Sequence, residues 1–190
     1  DGEIAPGQLV TIQSLADACE GSHMPVREAL KRLTAAKALT VVSGRSIGIP
    51  PLNRASLMDL RNVRVEVEAL AAIWACRNIT EGELEELSGV YERLSASNAA
   101  GDARSFLRAN HNLHFTIYRA ARSETLLTII ENLWLQISPY FNLLRGSGNY
   151  TVSNTHHQVM VDGLKARDEA RVAEALRADI DDAYLVLLEL

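Results

Sequence analysis

From residue 55 to residue 190, apolar side chains recur at spacings of three and four, interrupted only by short polar or glycine-containing breaks. That period belongs to helices that bury one face. Six helical segments follow: 56–78, 81–99, 103–121, 123–144, 154–166 and 168–190. The breaks fall at Thr80, Gly101-Asp102, Arg122-Ser123, the loop from Gly146 to Asn149, and Arg167-Asp168. Pro139 is expected to kink or break the fourth segment, because it removes an N–H and crowds the preceding turn. No strand signal rivals this pattern after residue 50. Short breaks between long helices favour antiparallel neighbours, and about 130 residues suffice for a core of their own. Residues 52–190 therefore read as an all-α antiparallel bundle.

The first fifty residues read differently. Ala5-Pro6-Gly7 marks a turn, and Gln8-Leu9-Val10 is short and extended. Ser14 is placed to cap a helix from Leu15 to Cys19, which Glu20-Gly21 ends. Ser22 caps a second helix with Pro25 in its first turn, where the missing N–H costs nothing. Val26, Ala29, Leu30 and Leu33 form the buried stripe of that helix, and Arg27 and Lys31 point outward. Two short helices around a glycine turn make a helix-turn-helix. Leu39–Val42 and Ile47–Pro50 flank Ser43-Gly44-Arg45-Ser46, a β-hairpin that serves as a wing. Its tip brings backbone and one cation to phosphates or a minor groove. Residues 1–51 thus form a winged helix, joined to the bundle through Pro50-Pro51-Leu52-Asn53.

Charge separates along the same boundary. The net −5 lies wholly after residue 52, whereas residues 21–45 carry five bases and one acid. A local excess of +4 on an acidic body can bind DNA, because phosphate attraction is short-ranged in salt. A solvated helix face would carry the same charges. No apolar run approaches a membrane span. The chain opens Asp1-Gly2-Glu3, without a secretory pattern, and Cys19 and Cys76 have neither metal-knuckle nor disulfide spacing. A reduced, cytoplasmic setting is the expectation.

Polar residues on the apolar stripes are the informative positions. Asn110 and His114 stand one turn apart among Phe106, Leu113 and Ile117. His157 shares a face with Met160, Val161 and Leu164, while His156 lies about 100° away. Asp179 shares a face with Val172, Leu176 and Ala183. Two imidazoles, a carboxylate and an amide oxygen suit a divalent transition metal. A buried hydrogen-bonded cluster, with Asp179 holding a histidine, accounts for the same pattern.

The run Pro6-Gly7-x-Leu9, Leu15-Ala16, Ser22-x-x-Pro25-Val26-Arg27-Glu28-Ala29-Leu30-x-x-Leu33 resembles the winged-helix domain of GntR-family bacterial transcription regulators. The remainder resembles the effector-binding FCD domain of the FadR-type branch. The resemblance implies a further helix before Pro6-Gly7, so the winged helix is expected to be partly truncated in this sequence. It implies that Arg27 and Gly44 touch double-stranded operator DNA and that Ser22 bonds a phosphate, with Gln13 and Arg45 as further contacts. His23 stands where the family usually has arginine. It also implies a metal site: at the family's Asp-x-x-x-His pair stands Asn110-x-x-x-His114, with Asn in place of Asp; His157 matches the middle histidine, and Asp179 replaces a final histidine. Zinc, nickel and manganese all suit such a set. The family senses small carboxylic acids. Arg64, at the family's Arg-x-x-x-Glu position with Glu68, would clamp a carboxylate bidentately, or else make an intrahelical pair worth a few tenths of a kcal/mol. Tyr140, Asn142 and Arg145 would line the same cavity.

The function expected is a homodimeric regulator whose effector shifts the spacing of two winged helices. One rival is a regulator for which the ion itself is the signal. Another is a metalloenzyme, although the chain has no His-Glu-x-x-His, phosphate loop or nucleophile motif.

Overall fold

The structure, a computed structural model, describes residues 9–18, 22–43, 46–141, 143–144 and 154–190. Strand β1 (Leu9–Thr11) runs into α1 (Ile12–Ala18), α2 (His23–Ala35) follows, and β2 (Thr40–Ser43) and β3 (Ser46–Gly48) form the hairpin. The sheet order is β1-β3-β2, antiparallel throughout, with Val41 opposite Ile47 and Leu9 opposite Gly48. The extended segment before α1 is therefore the third strand of the wing.

Two local details depart from the sequence reading. Helix α1 begins at Ile12, before the expected Ser14 cap. Thr11 takes that role instead: the Ser14 N–H donates to Thr11 Oγ1 at 3.0 Å, and the Thr11 N–H donates to Ser14 Oγ at 3.1 Å. This reciprocal pair satisfies two donors that a helix start leaves open. On α2, Leu30 is buried, Val26 and Leu33 are half-buried, and Ala29 is exposed. Its one methyl sits at the stripe's edge and reaches no core.

The bundle comprises α3 (Arg54–Asn78), α4 (Glu81–Ala99), α5 (Ala103–Ala120), α6 (Glu124–Ile137), α7 (Asn154–Lys165) and α8 (Glu169–Glu189). Side-chain caps begin most of them: Asn53 on α3, Asp102 on α5, Ser123 on α6 and Asp168 on α8. Thr80 and Glu83 make a full capping box on α4. The fourth segment was expected to run unbroken to Leu144; instead α6 ends at Ile137, Ser138–Tyr140 forms a 3₁₀ turn, and Phe141, Leu143 and Leu144 are helical again. Pro139 sits inside that turn, so it breaks the helix rather than merely bending it.

Helix α3 is the hub, touching α5, α6, α7 and α8. Its buried Ala69, Ala71, Ala72 and Ala75 allow that close approach. Leu87, Leu94, Leu113, Ile117, Ile130, Leu164 and Leu176 are wholly withdrawn from water in the core around it. Side chains that α3, α5, α6, α7 and α8 aim inward therefore converge, and several of them are polar. Among the described residues no helix is long and apolar enough to cross a membrane.

Candidate metal and effector site

Among the described residues of the bundle, five ionisable side chains are buried: Arg64 and Glu68 on α3, His114 on α5, His157 on α7 and Asp179 on α8. Burying so many ionisable groups is costly unless each finds a partner, so their contacts define what the site is for.

His114, His157 and Asp179 form one cluster, with a ligand atom of each within 4.8 Å of the others. His114 Nε2 lies 3.2 Å from Asp179 Oδ2, and His157 Nε2 lies 3.1 Å from Asp179 Oδ1. The second contact is close in distance but poorly aligned. Both ring nitrogens of His157, which is fully buried, lack a hydrogen-bond partner among the described residues. Leaving a buried polar atom unsatisfied costs about 1–3 kcal/mol, and native folds rarely do so without a reason. Donor atoms that face a common point instead of each other are what a cation requires. Metal–ligand bonds of about 2.0–2.2 Å put adjacent ligand atoms roughly 3 Å apart, which matches both separations. Burial alone would raise the Asp179 pKa, but the facing His157 and His114 rings outweigh it and hold the carboxyl well below the usual carboxylate range. Asp179 therefore presents a negative charge.

Asn110 lines a cavity beside this cluster, together with Arg64, His114, Trp134 and Asp179. The cavity measures about 30 Å³, room for roughly one water molecule. Its apolar wall includes Phe106, Phe141 and Leu144. His156, expected on another face, is engaged there: its Nε2 lies 2.8 Å from Asp182 Oδ2.

Arg64 borders the cavity and also makes the intrahelical pair. Its Nε donates to Glu68 Oε1 at 2.5 Å and its Nη2 to Glu68 Oε2 at 3.1 Å. Burial works against the guanidinium charge, but the adjacent Glu68 carboxylate prevails and raises the pKa above its ordinary value. Trp134 Nε1 donates to Glu68 Oε2 at 3.1 Å, and Tyr118 Oη donates to the same oxygen. The Arg64 guanidinium also lies 5.2 Å from the Trp134 ring, within cation–π range. Sequence reasoning missed Tyr118 and Trp134. Tyr118 stands one turn beyond His114, and that spacing was the available signal.

Tyr140 does not line the cavity. Its hydroxyl donates to the Pro50 carbonyl at 2.9 Å, tying the 3₁₀ turn to the segment between winged helix and bundle. The three-residue period of that turn rotates Tyr140 away from the stripe that a continued α-helix would give it. Asn142 and Arg145 lie outside the described residues.

Among the expected DNA contacts, Gly44 and Arg45 also lie outside the described residues. Gln13 is on α1, where its Nε2 donates to Asp17 Oδ1 at 2.8 Å. Ser22 holds the N-cap position of α2 with an extended backbone, but its hydroxyl makes no capping bond. His23 is the first residue of α2. Arg27 is exposed and makes no ion pair among the described residues, because its neighbour Glu28 pairs instead with Lys31 at 2.7 Å.

Residues 59–182 match the FCD domain family, and residues 1–49 match the family described as bacterial regulatory proteins, gntR family. The HTH-type transcriptional regulator McbR of Escherichia coli (strain K12) is 29% identical over 171 residues, covering 88% of this chain and 77% of McbR. The gluconate operon transcriptional repressor of Bacillus subtilis (strain 168) is 24% identical over 187 residues, covering 95% and 76%. Among solved structures, E. coli McbR/YncC superposes with a TM-score of 0.91 at 27% identity, covering 99% of this chain and 90% of that one.

Proposed function

This chain belongs to the GntR family of bacterial transcriptional regulators, in the branch that carries an FCD domain, and on that premise we propose that a small carboxylic acid bound in its helical domain sets its affinity for operator DNA, with a divalent transition metal as the acid's anchor. Asn110, His114, His157 and Asp179 would hold the ion, which is zinc, nickel or manganese. A bound ion supplies Lewis acidity, which orients a carboxylate. The chain's own residues do the rest. Arg64 offers a guanidinium at the cavity edge, fixed in place by Glu68. Phe106, Phe141 and Leu144 exclude water from the acid's body. Relatives from this family are named as regulators, one of them of a gluconate operon, and a non-enzymatic role follows from the same reading. The protein acts as a homodimer on double-stranded DNA. Acid binding shifts the relative placement of two winged helices, and it does so only through different affinities for the two arrangements.

The observation that carries this reading is His157: a fully buried imidazole, 3.1 Å from a carboxylate oxygen, with neither ring nitrogen hydrogen-bonded among the described residues. The test is the metal content of untagged protein purified without added metal, beside His157→Ala. Near-stoichiometric metal in the parent and its loss in the variant are expected. No metal in either protein, even after soaking with zinc, nickel and manganese, would sink the proposal. The small cavity favours one second reading, in which the ion alone is the signal. Operator affinity that responds to the ion and ignores added acids would select it.

A further inference from the structure

Four donated hydrogen bonds meet on the Glu68 carboxylate, and one of them controls a residue of the cation cluster. Arg64 supplies two, Trp134 one and Tyr118 one. The Tyr118 phenol has a single proton, and it goes to Glu68. A phenol keeps its proton at neutral pH. The same oxygen lies 3.0 Å from His114 Nδ1. Having given its proton away, the oxygen offers this nitrogen only lone pairs. The contact is a hydrogen bond only if Nδ1 carries hydrogen.

We infer that Tyr118 is a positioning residue: by donating to Glu68 and accepting from His114 Nδ1–H, it fixes the tautomer of His114 and turns the unprotonated Nε2 toward Asp179 and His157. An imidazole ligates a metal through the nitrogen that bears no proton, and the partner of the other nitrogen decides which one that is. In a neutral ring held this way, Nε2 and Asp179 Oδ2 are two lone-pair atoms 3.2 Å apart. They repel unless a metal ion or a second ring proton lies between them. The Arg64–Glu68 pair on α3, which reads as a simple helix salt bridge, is thus the base of a relay that readies α5 for a cation. The consequence for metal binding rests on the function proposed above. The tautomer does not.

The experiment is a two-bond ¹H–¹⁵N correlation spectrum of metal-free, full-length protein, recorded roughly two pH units above the ordinary histidine pKa so that neutral rings predominate. His114 is expected as the Nδ1–H form. In Tyr118→Phe it is expected to change to the Nε2–H form, which can donate to Asp179, and the dissociation constant for Zn²⁺ is expected to rise about 10–100-fold. An Nε2–H ring in the parent would overturn the inference. So would a folded Tyr118→Phe protein that keeps both Nδ1–H and the parent's Zn²⁺ affinity. Should the variant not fold, the parent spectrum decides alone. Should the parent bind no Zn²⁺, the metal reading fails while the tautomer is still judged by the spectrum.

Discussion

Glu68 shows how far one carboxylate's environment can depart from its sequence context. On a helix surface, Arg64 and Glu68 at a spacing of four would contribute a few tenths of a kcal/mol. In the bundle both are buried, at 2% and 0% exposure, and Glu68 is the shared acceptor for α3, α5 and α6. Removing it strands a buried guanidinium, a loss of about 3–5 kcal/mol. Urea denaturation of Glu68→Ala should read that loss, whereas Glu85→Ala on the exposed face of α4 should change stability by less than about 0.5 kcal/mol. A Glu68→Ala midpoint equal to the parent's would mean that Arg64 reaches water or another anion. Some of this site was legible and some was not. Asn110, His114, His157 and Asp179 interrupt apolar stripes at helical spacing, so periodicity alone aims them inward. Trp134 interrupts nothing, since an indole on an apolar face reads as core. Its N–H finds Glu68 only through the packing of α6 on α3, which no local pattern encodes.

Helix limits were legible wherever a side chain closes the first turn. Thr80, Asp102, Ser123 and Asp168 all accept from a backbone N–H three residues on, and each stood at a break in the apolar period. The reading failed at α1, where Thr11 and Ser14 cap each other and either could have been chosen. It also missed the 3₁₀ interruption after Ile137, because apolar spacing persists through such a turn while the phase of the side chains does not. Close helix contact leaves its own signature at Gly163. On α7 this glycine faces α8, and a Cβ there would stand 2.7 Å from Val172 Cγ2 and 3.4 Å from the Val172 nitrogen. Val172 is fully buried and stiff about its first torsion, so neither helix can yield cheaply. Gly163→Ala should therefore cost about 1–3 kcal/mol through overpacking. Adding Val172→Ala should recover part of that cost in a double-mutant cycle. If the cycle closes additively, the two helices do not meet where the structure places them.

For the whole molecule, the distribution of charge matters more than its sum. An acidic body carrying a basic recognition helix is suited to meet DNA at one end only. Arg27, exposed near the start of α2, is the side chain we propose to read a base. On a duplex selected by the protein from a random pool, Arg27→Ala should weaken binding by about 1–3 kcal/mol and relax preference at one position. A uniform weakening across sequences, with a shallower salt dependence, would instead assign Arg27 to a phosphate. Fold class was legible at this scale because two periods, of two and of three to four, occupy separate stretches of one chain. How the end of the wing is tied to the bundle was not, since the bond from Tyr140 to Pro50 joins residues 90 apart. The cavity of about 30 Å³ has a consequence in time rather than in space. On the proposed function, an organic acid larger than the water molecule that fits there would enter only with movement of the wall. Its apparent affinity is then its intrinsic affinity discounted by the open fraction, and its arrival is paced by that opening, well below the diffusion limit.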